Sequence, residues 1–205
     1  MIWDTEMVTE PDPTASDGRP RAPGDLWLLQ ELVNTRDVLP NTDELADVAS
    51  LRSWLVGYGL LDEAAAAGLD ATDLERITAF REAMRELLRT NLGDPIPSGA
   101  LAVLNAEAQR SALRVDFGHR GCAGLVPTGR SAADRVLGRL LAGVAAADAE
   151  GTWKRLKVCA DDTCAWAYYD ASRNASRSWC SMQSCGNRAK ARRHRQRAAA
   201  EKATP

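Results

Sequence analysis

Four cysteines in two pairs constrain this chain more than any other feature. Four residues separate Cys159 from Cys164, four separate Cys180 from Cys185, and fifteen lie between the pairs. A loop of that length lets both thiolates of a pair turn onto one ion. Four thiolates at about 2.3 Å complete the tetrahedron of a structural zinc site. Two disulfides are the competing chemistry. Against them, the chain opens Met1-Ile2-Trp3-Asp4 with neither a basic start nor an apolar run, and the cysteines crowd one end of a 205-residue chain that can build a core without staples. Sulfur in all four positions leaves no open coordination site, so the expectation is one structural Zn2+ rather than a catalytic one.

A run of cations follows the last cysteine. Arg188, Lys190, Arg192, Arg193, Arg195 and Arg197 come with no acid among them and no Gly or Pro to interrupt the run after Gly186, and the residues between them are good helix formers. At helical spacing Arg188, Arg192 and Arg195 share one face, and Lys190, Arg193 and Arg197 share another. A charge run is often only a solvated tail. Attached to a rigid zinc module, it points instead to a helix that meets the phosphates of a nucleic acid, with Arg173 and Arg177 on the loop between the cysteine pairs adding contacts. Charge is divided along the chain in the same sense. Residues 151–205 hold 12 Lys+Arg against 4 Asp+Glu, net +8, which leaves 14 against 24, net −10, in residues 1–150.

Trp179-Cys180-Ser181-Met182 and Cys185-Gly186-Asn187-Arg188 resemble the signature of the CGNR zinc-finger family, as do Tyr168-Tyr169-Asp170, Ser172-Arg173-Asn174, Arg177 and the approach Trp153-Lys154-Arg155-Leu156-Lys157-Val158-Cys159. The Leu32-Val33-Asn34-Thr35 element resembles one near the start of ABATE domains, which precede this finger in that family. The resemblance implies a treble-clef finger closing an ABATE domain, and a role in stress-related transcription regulation.

Along the chain, residues 1–24 carry four prolines among polar residues and read as a mobile arm. Residues 25–150 read as a mostly helical α+β domain with one β-hairpin, and residues 151–205 as a small treble-clef-like zinc finger with a basic C-terminal helix. Asp25 is placed to cap a helix bearing Leu26, Leu29, Leu32 and Val33. Asn34 and Thr35 at its end are expected either to cap it or to line a ligand pocket. Asn41 and Thr42 open a second helix ended by Gly57 and Gly59, a short one spans Asp62 to Ala67, and Thr72-x-x-Glu75 begins a long one. On that long helix Arg81, Arg85 and Arg89, beside Glu82 and Glu86, read as a solvated ion-paired face. Ser98 and Ser131 start two more helices. Between them Leu113–Phe117 and Cys122–Pro127 alternate as a hairpin turning through His119, which reads as a surface histidine, while Cys122 reads as a small buried residue and not a fifth ligand. Trp153, Trp166 and Trp179 are expected to fill the core of the finger, with base stacking as their alternative use.

No nucleophile–base pair, phosphate loop or H-E-x-x-H motif is found, so no enzyme is expected. No run approaches the length of a membrane span, and a cytoplasmic location is expected. The reading is a zinc-dependent, DNA-binding transcription regulator whose acidic N-terminal part senses a small-molecule or protein effector and could shield the basic helix. The alternative is a zinc-stabilised module that binds RNA or an acidic protein surface, including residues 1–150 of a second copy in a homodimer.

Overall fold

The computed structural model describes residues 19–118 and 123–203, the side chains from position 197 onward excepted. The expectations for residues 1–18, His119 and Cys122 lie outside the described residues.

Among the described residues the chain is α+β: helices with three two-stranded antiparallel ribbons. Helix α1 (Leu26–Asn34) is buried on nearly every side, which is why Leu-Trp-Leu-Leu-Gln-Glu-Leu-Val offers so little polar face. Asp25 precedes it without capping it, and its carboxylate pairs with Arg139 at 3.1 Å instead. Residues 19–24 are tied to this helix: Ala22 is buried and its N–H donates to Gln30 at 2.9 Å.

The second helix starts later than its sequence suggests. Strands β1 (Arg36–Asp37) and β2 (Thr42–Asp43) pair around a turn in which Asn41 has φ 54°. Helix α2 (Val48–Gly57) is capped by Asp47, which accepts from the Ser50 N–H. Helix α3 (Glu63–Ala67) is capped by Asp62. Helix α4 (Ala71–Arg89) opens on a reciprocal capping box between Asp70 and Asp73, not on Thr72 and Glu75.

Helix α5 (Ser98–Ser111) leads into strands β3 (Leu113–Phe117) and β4 (Ala123–Pro127), paired with Val115 opposite Leu125. Helix α6 (Ala132–Ala149) begins with a capping box between Ser131 and Asp134. Its Gly138 lets the hairpin approach: a Cβ there would stand 2.5 Å from Pro127 Cβ. Beyond Gly151 (φ 74°), β5 (Leu156–Val158) pairs with β6 (Ala167–Tyr169), and a single π-turn at Met182–Gly186 runs into α7 (Asn187–Ala203).

One continuous core holds Leu29, Leu32, Val33, Ile77, Phe80, Leu137 and Leu140, and takes in Leu156, Val158, Ala165 and Ala167 from the finger. The arginine row of α4 is not a solvated face. Arg81 is only 2% exposed, and Arg85 is buried as well. Arg81 forks onto both Asp43 oxygens at 2.7 and 2.8 Å and donates to Thr35 Oγ at 3.1 Å. That bidentate pair joins α4 to the β1–β2 ribbon, and a planar guanidinium suits it better than an ammonium would.

Candidate metal centre and basic helix

The two knuckles converge because of local backbone bonds. After β5, the Cys164 and Ala165 N–H groups both donate to the Asp161 carbonyl, at 2.8 and 3.0 Å, which folds the first knuckle tightly enough to aim both of its sulfurs inward. Ala165 completes the loop with φ 47°. In the second knuckle the Gly186 N–H donates to Ser181 O at 3.0 Å. A Cβ on Gly186 would meet Met182 Sδ at 2.8 Å, a contact that the exposed, flexible Met182 side chain can relieve by moving.

The sulfurs of Cys159, Cys164, Cys180 and Cys185 lie within 4.8 Å of one another. Cys180 Sγ stands 3.7 Å from both Cys164 Sγ and Cys185 Sγ. A tetrahedron of thiolates at about 2.3 Å from one ion has edges of about 3.8 Å, so the donor set fits a four-sulfur zinc site. Cys159, Cys180 and Cys185 are buried and Cys164 is half-buried, with Tyr168 fully buried beside them and Trp166 and Trp179 closing over the cluster. Hydrogen bonds from Cys164 and Cys180 hold the Cys159 thiol down at about 2. Donating to Cys159 pushes Cys164 up to about 12 and Cys180 higher still. Sulfurs this close cannot all ionise unless a dication shares the charge, which is the chemistry a zinc ion supplies when bound.

The basic helix is joined to the metal centre by a buried carboxylate. Asp161, 1% exposed, accepts from Arg188 Nε at 3.1 Å and pairs with Arg192 Nη2 at 3.2 Å. Arg188 also donates to Cys185 Sγ at 2.9 Å. Burial alone would raise the Asp161 carboxyl, but hydrogen bonds from Thr163, Arg192 and Arg188 outweigh it and lower it. One face of α7 is thus turned onto the first knuckle. Lys190, Arg193 and Arg195 are exposed, and the Arg197 side chain lies outside the described residues. On the loop between the cysteine pairs Arg173 is exposed. Arg177 instead donates to Cys180 O at 2.8 Å and lies over the Tyr168 ring at 5.4 Å.

That loop is held by a buried ion pair. Lys157 Nζ reaches Asp170 Oδ2 at 3.0 Å and the carbonyls of Ala175 and Arg177 at 2.5 and 3.3 Å. Asp170 also accepts from the Ser172 N–H, the Ser172 hydroxyl and the Arg177 N–H. Burial pushes its carboxyl up, but these hydrogen bonds prevail and hold it at about 2.

The finger is fastened to the helical part by polar side chains that stand in for backbone. Asn34 donates to Ala167 O at 3.0 Å and accepts from the Ala167 N–H at 2.8 Å, matching the strand as a neighbouring strand would. Thr35 donates to Leu32 O at 2.7 Å. Asn34, expected to cap a helix or to line a pocket, is therefore engaged in a joint, whereas Thr35 is the C-cap of α1, its hydroxyl donating back into that helix and accepting from Arg81. Arg85 donates to Ala165 O and Val33 O, both at 2.6 Å, and to Arg36 O at 3.1 Å. Asn91 donates to Trp153 O and Leu156 O at 3.1 and 2.8 Å, and Arg89 pairs with Asp162 at 2.9 Å. Lys157 and Asp170 lie in segments that carry the family resemblance, and Arg85 in the arginine row, but nothing local names their partners. Asp161 and Asn91 carry no motif, and each of the five meets its partner across the fold.

Two family models cover nearly all of the described chain. One described as "CGNR zinc finger" matches residues 155–198. The other, ABATE, described as "Putative stress-induced transcription regulator", matches residues 24–151. No curated protein matches the chain.

Proposed function

Because the chain belongs to the ABATE family and carries a CGNR zinc finger behind that domain, we propose that it is a zinc-ordered transcription regulator that binds duplex DNA through α7. The observation that carries this reading is the unequal use of the two faces of the helix. Arg188 and Arg192 are held by Asp161, whereas Lys190 and Arg193 stand exposed on the opposite face with no acid between Asn187 and Ala200 to neutralise them. Unneutralised cations on a rigid helix are stabilised by displacing counterions from phosphate. Arg195 and the exposed Arg173 extend the basic surface, while Arg177, turned onto Cys180 and Tyr168, serves the fold of the finger. Such contacts position the protein on DNA without specifying a sequence. The four cysteines hold the zinc ion, whose part is to fix the knuckles from which α7 springs.

Regulatory input is assigned to residues 25–150. An effector there can reach the finger through Asn34, Arg85 and Asn91, which bond directly to its backbone. The ion pairs that reach α7 come from Asp161 within the finger itself.

The test is binding of the zinc-loaded protein to mixed duplex DNA, followed by fluorescence anisotropy across a salt series. Each phosphate contact adds about 0.9 to the magnitude of the log–log slope, so Lys190→Gln with Arg193→Gln should lower it by about 2. Arg192→Gln, which removes an internal pair, should change it less. Absence of binding at low salt by folded, zinc-loaded protein would move the reading to a protein-interaction module.

A further inference from the structure

Among the described residues the β3–β4 ribbon pairs with no further strand, and the outer edge of β3 is open. Strand β4 lies against α6, where Pro127 meets Gly138, and β3 is the outer strand. Edges of this kind are usually blunted by short length, charged side chains, a proline or a bulge. Strand β3 reads Leu-Arg-Val-Asp-Phe: it has no proline or bulge, its two charges are of opposite sign, and Phe117 and Val115 are 74% and 55% exposed.

The direction of the free backbone groups follows from the ladder. Pro127 stands opposite Leu113 and has no N–H, and the next residue, Thr128, donates to Ala112 O at 3.3 Å. In an antiparallel pair the hydrogen-bonded positions alternate. Arg114 and Asp116 therefore turn their N–H and C=O groups towards β4, and Leu113, Val115 and Phe117 turn theirs outwards.

Read in reverse, this strand is its own complement. An antiparallel copy centred on Val115 sets Val115 opposite Val115 at a hydrogen-bonded pair and Leu113 opposite Phe117 at two more. Arg114 then stands opposite Asp116 at the closer, non-hydrogen-bonded positions, where opposite charges on facing residues stabilise a ladder. Within one chain Arg114 and Asp116 already reach each other at 2.8 Å with both side chains largely exposed, so both are free to face a partner. Facing residues point to the same side of a sheet, so the bare Phe117 ring is covered by Leu113 of the other copy. An unrelated strand would need an acid and a base in this register, and a second copy supplies both.

We infer that β3 is a self-association edge: two copies of this chain pair antiparallel through β3, with Val115 on the twofold axis, and join their hairpins into one four-stranded sheet. The interface uses no residue of the finger, so a protein that failed to bind DNA would still pair.

Sedimentation equilibrium of the full-length, zinc-loaded protein tests it. The expected mass at high concentration is twice the 22.2 kDa of one chain, and a single-chain mass throughout would overturn the inference. Val115→Pro removes one outward-facing N–H and leaves the β4 ladder intact, and should weaken pairing about tenfold or more. Arg114→Asp alone and Asp116→Arg alone place like charges across the axis, and each should be a monomer. Mixed in equal amounts they set acid against base again and should form a heterodimer, although each chain keeps its own like-charged pair. Dimerisation that survives all three substitutions, or that fails to return on mixing, would refute pairing through this edge.

Discussion

Asp170 is completely buried opposite a lysine that is almost as deeply buried. The pair is tolerable because every lone pair and proton finds a partner: Asp170 accepts from Ser172, Lys157 and Arg177, and Lys157 also reaches two carbonyls. Removing one member strands the other, so Asp170→Asn is expected to cost about 3 kcal/mol in urea unfolding of the zinc-loaded protein. The same carboxyl gives a pH dependence of known sign. It is held at about 2, below its ordinary 3.8, so its stabilisation is complete above about pH 4 and is lost as pH falls towards 2. Loss of metal from the thiolates in acid is common to wild type and variant. The stability gap between them should therefore narrow over that window, and a constant gap would mean that Asp170 does not titrate there. Tyr168-Tyr169-Asp170 stood out as a motif. That its acid anchors a lysine thirteen positions back was not legible, because no local pattern encodes that contact.

At the scale of elements, periodicity and some caps were readable, although Asp25 does not cap α1 and the box that opens α4 lies at Asp70 and Asp73 rather than at Thr72 and Glu75. Asp62 caps α3 and Ser131 caps α6, since a side-chain oxygen there needs only the N–H three residues on. Asn41 and Thr42 looked like the start of a helix, but β1 and β2 pair at that point and place Asp43 under Arg81, so α2 waits for Asp47. The arginines of α4 failed for a related reason. Their i, i+4 spacing fits a solvated face and a buried joint equally well, and the β1–β2 ribbon packing on Arg81 and the finger arriving on Arg85 and Arg89 decide between them. Asn34 shows what the joint contributes. Its two bonds to Ala167 are buried, and Asn34→Ala leaves an N–H and a carbonyl without partners in a dry site. We expect a loss of about 2 kcal/mol, measured by chemical denaturation. Asn34→Asp, which can accept but not donate, should recover only part of it. Full stability in the alanine variant would remove Asn34 from the joint.

For the whole molecule, the metal centre and the helices belong to one packed body. The finger's Leu156, Val158, Ala165 and Ala167 lie in the core that α1, α4 and α6 build, and Asn34, Arg85 and Asn91 bond across the same surface. The shared core and these bonds lead us to expect one coupled transition rather than two separately melting parts. Chelating zinc from the full-length chain should lower the midpoint of helix melting, followed by far-ultraviolet circular dichroism, by at least about 5 °C. That corresponds to about 2 kcal/mol of lost joint for a chain of this size. Cys180→Ser should do the same without a chelator. An unchanged helical transition after complete zinc removal would make the finger an independent appendage.

The sequence by itself determined the four-sulfur centre, most of the helices, the β3–β4 hairpin and the basic character of α7. Each depends on spacing or composition within a short window, and that window holds all the physics involved. The tertiary structure alone decided which cations are engaged and which stand free. Asp161 meets Arg188 across 27 positions and Arg85 meets Ala165 across 80. A charge has the same character in a sequence wherever it lies. In the fold its role depends on whether a buried acceptor lies within hydrogen-bond reach, and here that acceptor is brought there by parts of the chain far from the charge itself.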